Sequence, residues 1–143
     1  MNLIKLIAAL ILFPVMIDTT FAQDLKPHQW KDRLILIFAE DTTNVIYQKQ
    51  LEAFKREETG MKDRKLVVYE VMPKQYRKDG GRWISGEALF QKYKSTDTPS
   101  EIILIGLDGG IKLRQTKVLS GKELFGIIDA MPMRKAELQR KRN

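Results

Sequence analysis

A short segment in the first third of the chain constrains the fold most. Leu34-Ile35-Leu36-Ile37-Phe38 is apolar at every position instead of alternating between apolar and polar residues. This pattern predicts a strand that is covered on both faces, as in the middle of an α/β sheet. The run from Ile102 to Ile105, which follows Pro99, has the same character. The sequence therefore predicts an α/β sheet with two buried strands.

The segment after the first strand has helical spacing. Tyr47, Leu51 and Phe54 stand at i, i+4 and i+7 within residues 44–59. This spacing places the three side chains on one face of an amphipathic helix. Gly60 follows directly, and we expect it to form the C-cap of that helix.

The middle of the chain predicts one more strand, a loop and a second helix. Residues 66–72 are strand-like, and Pro73 ends the run. Residues 74–84 are polar and contain two consecutive glycines, which predicts a long surface loop. We expect Ser85 to cap a helix that continues to about Lys94.

The last third predicts a hairpin and two helices. Asp108-Gly109-Gly110 leads into Ile111-Lys112-Leu113-Arg114, which alternates between apolar and basic residues as a strand with one wet face does. Ser120-Gly121-Lys122-Glu123 has the spacing of a capping box at the start of a helix. Pro132 stops that helix and can begin a basic helical tail over residues 133–143.

The predicted order is therefore βαβαββα with a C-terminal helical tail. The first crossover must form a right-handed βαβ unit, and the later hairpin adds an antiparallel edge. We predict an α/β fold: a thioredoxin-like three-layer sandwich with a mixed four-stranded sheet, in a single domain over residues 23–143. A different α+β sandwich is the competing topology.

Residues 1–22 have the pattern of a secretory signal peptide. Lys5 precedes an apolar run from Leu6 to Ile17, and Thr20-Phe21-Ala22 offers small residues to a signal peptidase. An uncleaved membrane anchor is the alternative, but a spanning helix needs roughly 20 apolar residues and Pro14 interrupts this run. We therefore expect a protein exported to the periplasm or the extracellular space, without a transmembrane segment in its mature form.

The chain contains no cysteine and one histidine. Without a thiol, it cannot perform thiol–disulfide exchange or reduce peroxide with a cysteine nucleophile, and it cannot bind metal through thiolates. The acidic residues and the single histidine do not form the dense loop that a calcium site uses. We therefore expect no metal and no cofactor, and we expect Asp108 to act as a turn residue.

Four strings of the sequence are familiar in combination. They are Trp30-Lys31-Asp32-Arg33-Leu34, Asp63-Arg64, Ile105-Gly106-Leu107-Asp108-Gly109-Gly110-Ile111-Lys112 and Ile128-Asp129-Ala130-Met131-Pro132-Met133-Arg134. Together they resemble the P-DUDES family of peroxiredoxin-like, thioredoxin-fold domains. This family occurs in bacterial exported proteins and in animal matrix proteins such as Equarin and the sushi-repeat proteins. The resemblance implies a thioredoxin-like fold, export, no established activity in bacteria, and binding more than catalysis.

Redox chemistry in a thioredoxin-like fold takes place where the first strand turns into the first helix. In this chain that turn is Ala39 to Asn44, and we expect Thr42, Thr43 or Asn44 to cap the helix, with anion binding there as the alternative. The fold also commonly has a cis-proline beside this turn, for which Pro99 is the candidate. A thiol-independent enzyme would use Glu40, Asp41 and Arg33 near the turn.

The N-terminal segment contains the histidine and one of the two tryptophans. We find no serine or acidic residue at a spacing that would pair with His28 for catalysis, so we expect it to be a surface residue. We expect the Trp30 ring to pack the segment onto the sheet.

Lys and Arg number 25 against 18 Asp and Glu, and the excess lies in two segments. One is residues 74–94, where aromatic residues alternate with bases, and the other is the tail from Met133. Such clusters suit anionic ligands, and an exported protein meets acidic polymers and envelope proteins more often than nucleic acid. The candidate binding residues are Arg77, Lys78, Arg82, Trp83, Lys112, Arg114 and Arg134.

Three functions compete at this point. The first is a non-catalytic binding or accessory module for an anionic envelope or extracellular partner. The second is the thiol-independent enzyme with carboxylates at the first strand-to-helix turn. The third is a structural subunit of an assembly, which would expose a large apolar patch. For Lys112, Arg114 and Arg134 a shared anion-facing surface is the alternative to a structural role, while Asp129 and Arg134 are expected to touch at the helix break.

Overall fold

A computed structural model of the protein describes residues 24–143, so the predicted signal peptide lies outside the described residues. A 3₁₀ turn at Lys26–His28 precedes the sheet. The strands are β1 (Arg33–Ala39), β2 (Leu66–Val71), β3 (Gln75–Lys78), β4 (Ile84–Ser85), β5 (Ser100–Ile105) and β6 (Ile111–Gln115). The helices are α1 (Val45–Lys55), α2 (Glu58–Asp63), α3 (Ala88–Tyr93), α4 (Gly121–Asp129) and α5 (Pro132–Arg142).

One mixed sheet of six strands has the order β4-β3-β2-β1-β5-β6. β1 pairs in parallel with β2, which makes the predicted βαβ unit, and antiparallel with β5. All seven residues of β1 and all six of β5 are buried, because helices and loops cover both faces at the centre of the sheet. The uninterrupted apolar runs therefore identified the two central strands correctly.

The sheet separates two apolar clusters. On one face, Ile35, Ile37 and Ala39 of β1 pack against α1, α2 and α4. On the other face, Leu34, Leu36 and Phe38 pack against α3 and the N-terminal segment. This alternation of strand residues between two covered faces produces three layers.

The predicted four-stranded sheet is wrong in strand count. Residues 74–84 form most of a short hairpin, β3–β4, that extends the sheet beyond β2 instead of a plain surface loop. Its strands have four and two residues, and β4 is exposed, so neither strand carries an apolar run that marks it in the sequence. Ser85 consequently belongs to β4, and α3 begins only at Ala88.

The predicted helix over 44–59 is divided into α1 and α2, and Gly60 lies inside α2 rather than at a C-cap. A Cβ atom at this position would be 2.6 Å from the Phe125 ring of α4. Gly60 is therefore explained by the close approach of α4, a contact that local sequence does not reveal.

The N-terminal segment is fastened differently from the prediction. The Trp30 ring is 62% exposed, so it does not pack on the sheet. The backbone amide of Trp30 donates a hydrogen bond to the Leu107 carbonyl, and Leu25 provides the buried side chain. Trp30 adopts a positive φ of 66°, which is uncommon for a residue other than glycine.

His28 was predicted to be a surface residue, but both nitrogens of its ring contact other side chains. Its Nδ1 lies 2.7 Å from a carboxylate oxygen of Asp32, and its Nε2 lies 2.8 Å from the Tyr69 hydroxyl. Because both ring nitrogens are occupied by side chains of the protein, His28 serves to tie the N-terminal segment to β2. The Asp32 partner at i+4 was missed in the sequence.

Local signals near the C-terminus were correct. Ser120 and Glu123 form the predicted reciprocal capping box, and Pro132 begins α5. Pro99 is trans, since residues 24–143 contain no cis peptide bond. Within the same residues, no helix has the length and apolarity needed to cross a membrane.

Candidate functional site

The turn between β1 and α1 is built for helix capping. The Asn44 side chain accepts a hydrogen bond of 3.0 Å from the Tyr47 amide, which confirms the predicted cap. Glu40 and Asp41 are exposed to solvent. Hydrogen bonds from the hydroxyl and the amide of Thr43 hold the pKa of Asp41 below its ordinary value. A carboxyl group that acts as a general acid needs the opposite shift, so the turn does not provide one in Asp41.

Arg33 lies far from that turn. It begins β1, whereas Glu40 follows the last residue of the strand. Seven residues of strand span roughly 23 Å, so the three predicted catalytic side chains do not form one site.

A buried polar network lies beneath the first turn of α1. The Tyr47 hydroxyl donates to the Glu70 carboxylate, and Arg77 binds the same carboxylate with its Nε at 2.9 Å. Glu70 is 2% exposed, so Arg77 supplies the charge that makes this burial tolerable. Burial and the neighbouring Glu70 raise the pKa of Tyr47 to about 12. The phenol therefore stays protonated at neutral pH and acts as a donor.

Arg77 connects this network to the β3–β4 hairpin. Its guanidinium stacks over the Trp83 ring, 4.6 Å from the ring centre. Among the predicted binding residues of this segment, Arg77 and Trp83 are thus in contact. Arg77 already forms an ion pair with Glu70, so its charge is not available to a ligand. The cationic side chains that remain available are Lys74, Lys78 and Arg82.

These three cations form an exposed basic edge, which we call the hairpin surface: Lys74, Lys78, Arg82 and the adjoining Trp83 and Ile84. Among residues 24–143, none of the three cations forms an ion pair within 4.0 Å. The nearest acidic residue in the sequence, Asp79, accepts a hydrogen bond of 2.9 Å from the Val68 amide. Ile84 is 50% exposed beside them.

Lys112 and Arg114 lie on the wet face of β6, as the alternating pattern predicted, but both are engaged by the protein. Lys112 pairs with Asp108 at 2.8 Å. Arg114 pairs at 2.9 Å with Glu101, which is 0% exposed, and also donates to the Tyr93 carbonyl. Arg114 therefore neutralises a buried carboxylate and fixes the loop after α3.

Arg134 is 1% exposed, so it does not join Lys112 and Arg114 on a shared anion-facing surface. It contacts Asp129 at 3.2 Å, as expected for the helix break, and it also pairs with Asp63. Arg64 binds Asp129 through two nitrogens at 2.7 and 3.0 Å. This arginine cluster joins the ends of α2, α4 and α5.

Arg33 completes the arginine cluster, and its partners were not predicted. It is 0% exposed, its Nη1 donates to the Arg64 carbonyl at 2.9 Å, and Glu137 of α5 is its counter-ion. Although burial alone would raise the pKa of Glu137, the hydrogen bonds and charges of Arg33 and Arg134 bring it below its ordinary value. The Arg33 Nε has no hydrogen-bond partner, and Nη2 reaches Glu137 at 3.3 Å without hydrogen-bond alignment.

A cleft of about 470 Å³ borders this cluster. Its lining is Arg33, Gly106, Leu107, Asp108, Lys112, Ile127, Ala130, Met131, Pro132 and Met133. With the exception of Ile127, these residues belong to three of the four strings that carry the family resemblance. Strings far apart in the chain thus meet at the N-terminal end of β1.

Residues 24–137 match a domain of unknown function, DUF4174. The chain belongs to the DUF4174 family. No curated protein matches the DUF4174 chain in sequence.

Among solved structures, the DUF4174 chain is similar to the reduced 2-Cys peroxiredoxin of Plasmodium vivax. The TM-score is 0.55 with 13% sequence identity, over 78% of this chain and 84% of that chain. At this identity the similarity shows the fold alone, and it confirms the predicted thioredoxin-like α/β architecture. The six-stranded sheet and five helices are the form that this architecture takes in residues 24–143.

The chemistry of the fold is not transferred with it, because this chain has no cysteine. Within residues 24–143, no group of three or more His, Asp or Glu side chains is placed to hold a metal ion.

Proposed function

We propose that this protein is an exported, non-catalytic module that binds an acidic polymer of the cell envelope or extracellular space. The hairpin surface carries this proposal. Lys74, Lys78 and Arg82 lie within nine residues of each other and have no counter-ion, whereas most other candidate cations are paired. Unpaired cations can bind an anionic ligand without first breaking an internal ion pair.

The aromatic part of the surface supports the same function. The Arg77–Trp83 stack holds the indole in place within the same hairpin as the free cations, on the face opposite to Lys78 and Ile84. A rigid aromatic side chain in the same short segment as free cations offers an extended polymer an apolar contact for a sugar ring in addition to charges for its acidic groups. We therefore favour an acidic glycan or cell-wall polymer over a compact anion.

Catalysis at the first strand-to-helix turn has less support. Glu40 and Asp41 are solvated, and the pKa of Asp41 is lowered by its hydrogen bonds with Thr43. Arg33 lies at the other end of β1. The turn also lacks a thiol.

Export and the finer family assignment complete the proposal. Export rests on the charged, apolar and small-residue regions of residues 1–22. The assignment to P-DUDES, within or beside DUF4174, rests on the four strings of the sequence and on the meeting of three of them at the cleft beside Arg33. Expression of the full chain in a bacterial host tests export directly. The periplasmic protein should begin at Gln23, whereas retention of Met1 in the membrane fraction would argue for an anchor.

Binding is tested by the affinity of the purified protein for heparin, an acidic polysaccharide, at low and high salt. We expect the affinity to fall steeply with salt, because binding releases counter-ions. The double variant Lys78→Glu, Arg82→Glu should lose most of the low-salt affinity.

The matched control is Lys117→Glu, Lys122→Glu, which makes the same change in net charge at two exposed lysines away from the hairpin. It should retain most of the affinity. Equal loss in both double variants would show that only net charge matters, and affinity that is independent of salt would reject the proposal.

A further inference from the structure

The cleft beside Arg33 has a buried cationic group that the protein does not fully satisfy. Arg33 is 0% exposed and lines the cleft, and its Nε has no hydrogen-bond partner. A guanidinium has five N–H donors, and a buried donor without an acceptor is unfavourable. An acceptor that enters the cleft would remove this deficit.

The N-terminus of α5 faces the same cleft. Met131, Pro132 and Met133 line it, and no side chain caps the first turn of this eleven-residue helix. The first turn also lacks an acidic residue. Uncapped amides and the positive end of the helix dipole favour a negatively charged ligand.

The remaining charges in the wall do not oppose an anion strongly. Asp108 lines the cleft, but it pairs with Lys112 at 2.8 Å and accepts a hydrogen bond from the Gly110 amide. Lys112 itself lines the cleft, so this pair is close to neutral. Arg33 is itself paired with Glu137 at 3.3 Å, but its Nε is left without an acceptor, and the first turn of α5 has no acidic residue.

The rest of the lining is apolar. Leu107, Ile127, Met131 and Met133 contribute to the wall, and Met133 is 41% exposed at its rim. A volume of about 470 Å³ is within the range of small-molecule sites. The site thus combines an anion-binding floor with apolar walls.

We infer that this cleft binds an amphiphilic carboxylate, with its carboxylate towards Arg33 and the N-terminus of α5 and its apolar part along Leu107, Ile127 and Met131. A free aliphatic acid and the C-terminal end of a peptide share this chemistry. The site is separate from the hairpin surface and does not depend on the proposed function.

Calorimetric titration with matched ligand pairs tests the inference. Octanoate and octanamide differ only in charge at one end, and N-acetyl-Leu-Leu and its C-terminal amide form the peptide pair. We expect a carboxylate to bind about tenfold more tightly than its amide, because charge-assisted hydrogen bonds are roughly twice as strong as neutral ones. Preference in the first pair alone identifies a free acid, and preference in the second pair alone identifies a peptide end.

Two variants locate the binding. Ala130→Trp places a large side chain at an exposed position of the lining and should reduce carboxylate affinity more than about tenfold. Gln139→Trp, an exposed position of α5 outside the lining, is the control and should bind as the unmodified protein does. Arg33→Lys removes the planar fork and should reduce the preference for carboxylate over amide.

The double variant Lys78→Glu, Arg82→Glu should keep its carboxylate affinity, which separates this site from the hairpin surface. Absence of binding in both ligand pairs would overturn the inference. Equal affinity of carboxylate and amide, or unchanged affinity in Ala130→Trp, would also overturn it.

Discussion

The two basic segments of this protein carry similar charge in the sequence but use it in opposite ways. In the hairpin surface, Lys74, Lys78 and Arg82 lie in solvent without counter-ions. In α5, Arg134 is 1% exposed, and Arg134 and Lys141 both pair with Asp63. The first segment leaves its charge free for a ligand, whereas the second uses much of its charge to hold helices together.

A count of basic residues therefore does not distinguish cations that can bind a ligand from cations that stabilise the fold. α5 also has exposed cations at Lys135, Arg140 and Arg142, so the two segments differ in degree at their surfaces. What distinguishes the hairpin is that the aromatic stack of Arg77 on Trp83 and the free cations belong to one short segment. What distinguishes α5 is Arg134, which is itself buried and pairs with Asp63, Asp129 and Glu137.

The largest effect should follow from Arg134→Met. Removal of the guanidinium deprives Glu137, which is 12% exposed, of one of its cationic partners. It also breaks the ion pairs of Arg134 with Asp63 and Asp129. We expect the free energy of unfolding to fall by about 3 kcal/mol, as for other broken buried ion pairs. Urea denaturation followed by circular dichroism measures it.

Arg140→Met, an exposed cation of the same helix, is the control for Arg134→Met and should change stability by less than about 0.5 kcal/mol. Equal stability of the two variants would show that Arg134 contributes no more to folding than an exposed cation does, and it would contradict the structural role assigned to α5.

A smaller loss should follow from Arg77→Met, which removes the one structural cation of the hairpin. Glu70 would keep only the Tyr47 hydroxyl as a partner in a buried position, so we expect a loss of about 2 kcal/mol. Lys78→Met, at the next position and exposed, should be close to neutral. A loss for Lys78→Met as large as that for Arg77→Met would contradict the division of the hairpin into paired and free cations.

The sequence predicted those elements whose signal is local. Uninterrupted apolar runs predicted the central strands β1 and β5. The capping box at Ser120 and the start of α5 at Pro132 were each predicted from residues within a single helical turn. These features depend on neighbours within a few residues, so their chemistry is visible in the sequence.

The sequence did not reveal features that depend on distant contacts. Gly60 was assigned to a cap because its real constraint, the Phe125 ring, lies 65 residues away in the chain. Arg33 and Glu137 are charged, and charged residues are rarely buried, so their pairing inside the arginine cluster has no sequence signature. The hairpin was missed because its strands are short and polar.

Acid should weaken the arginine cluster. Hydrogen bonds from Lys141 and Arg134 lower the pKa of Asp63 from 3.8 to about 2. Since the folded pKa lies below the unfolded value, this stabilisation is present above pH 3.8 and is lost as the pH falls towards 2. Asp63 is 42% exposed, so solvent screening limits the effect to about 1 kcal/mol.

Asp63→Asn therefore should be less stable than the unmodified protein at pH 7 and equally stable near pH 2. Urea denaturation at several pH values between these limits measures the difference. A difference that stays constant with pH would mean that the Asp63 charge does not act through this cluster.

The smallest stability effect is expected for the double variant Lys78→Glu, Arg82→Glu, which removes no internal contact. Its free energy of unfolding should stay within about 0.5 kcal/mol of the original. A larger loss would show that these cations contribute to folding, and any loss of binding would then need a different explanation.

The central claim is that the free cations of the hairpin, rather than the basic surplus as a whole, bind an acidic polymer. The most direct measurement is the salt dependence of heparin affinity for Lys78→Glu, Arg82→Glu and for Arg140→Glu, Arg142→Glu, which change the net charge equally. We predict that the hairpin variant binds at least about tenfold more weakly and with a shallower salt slope, while the α5 variant stays within about threefold of the original. Equal losses in the two variants, or a larger loss in the α5 variant, would contradict the claim.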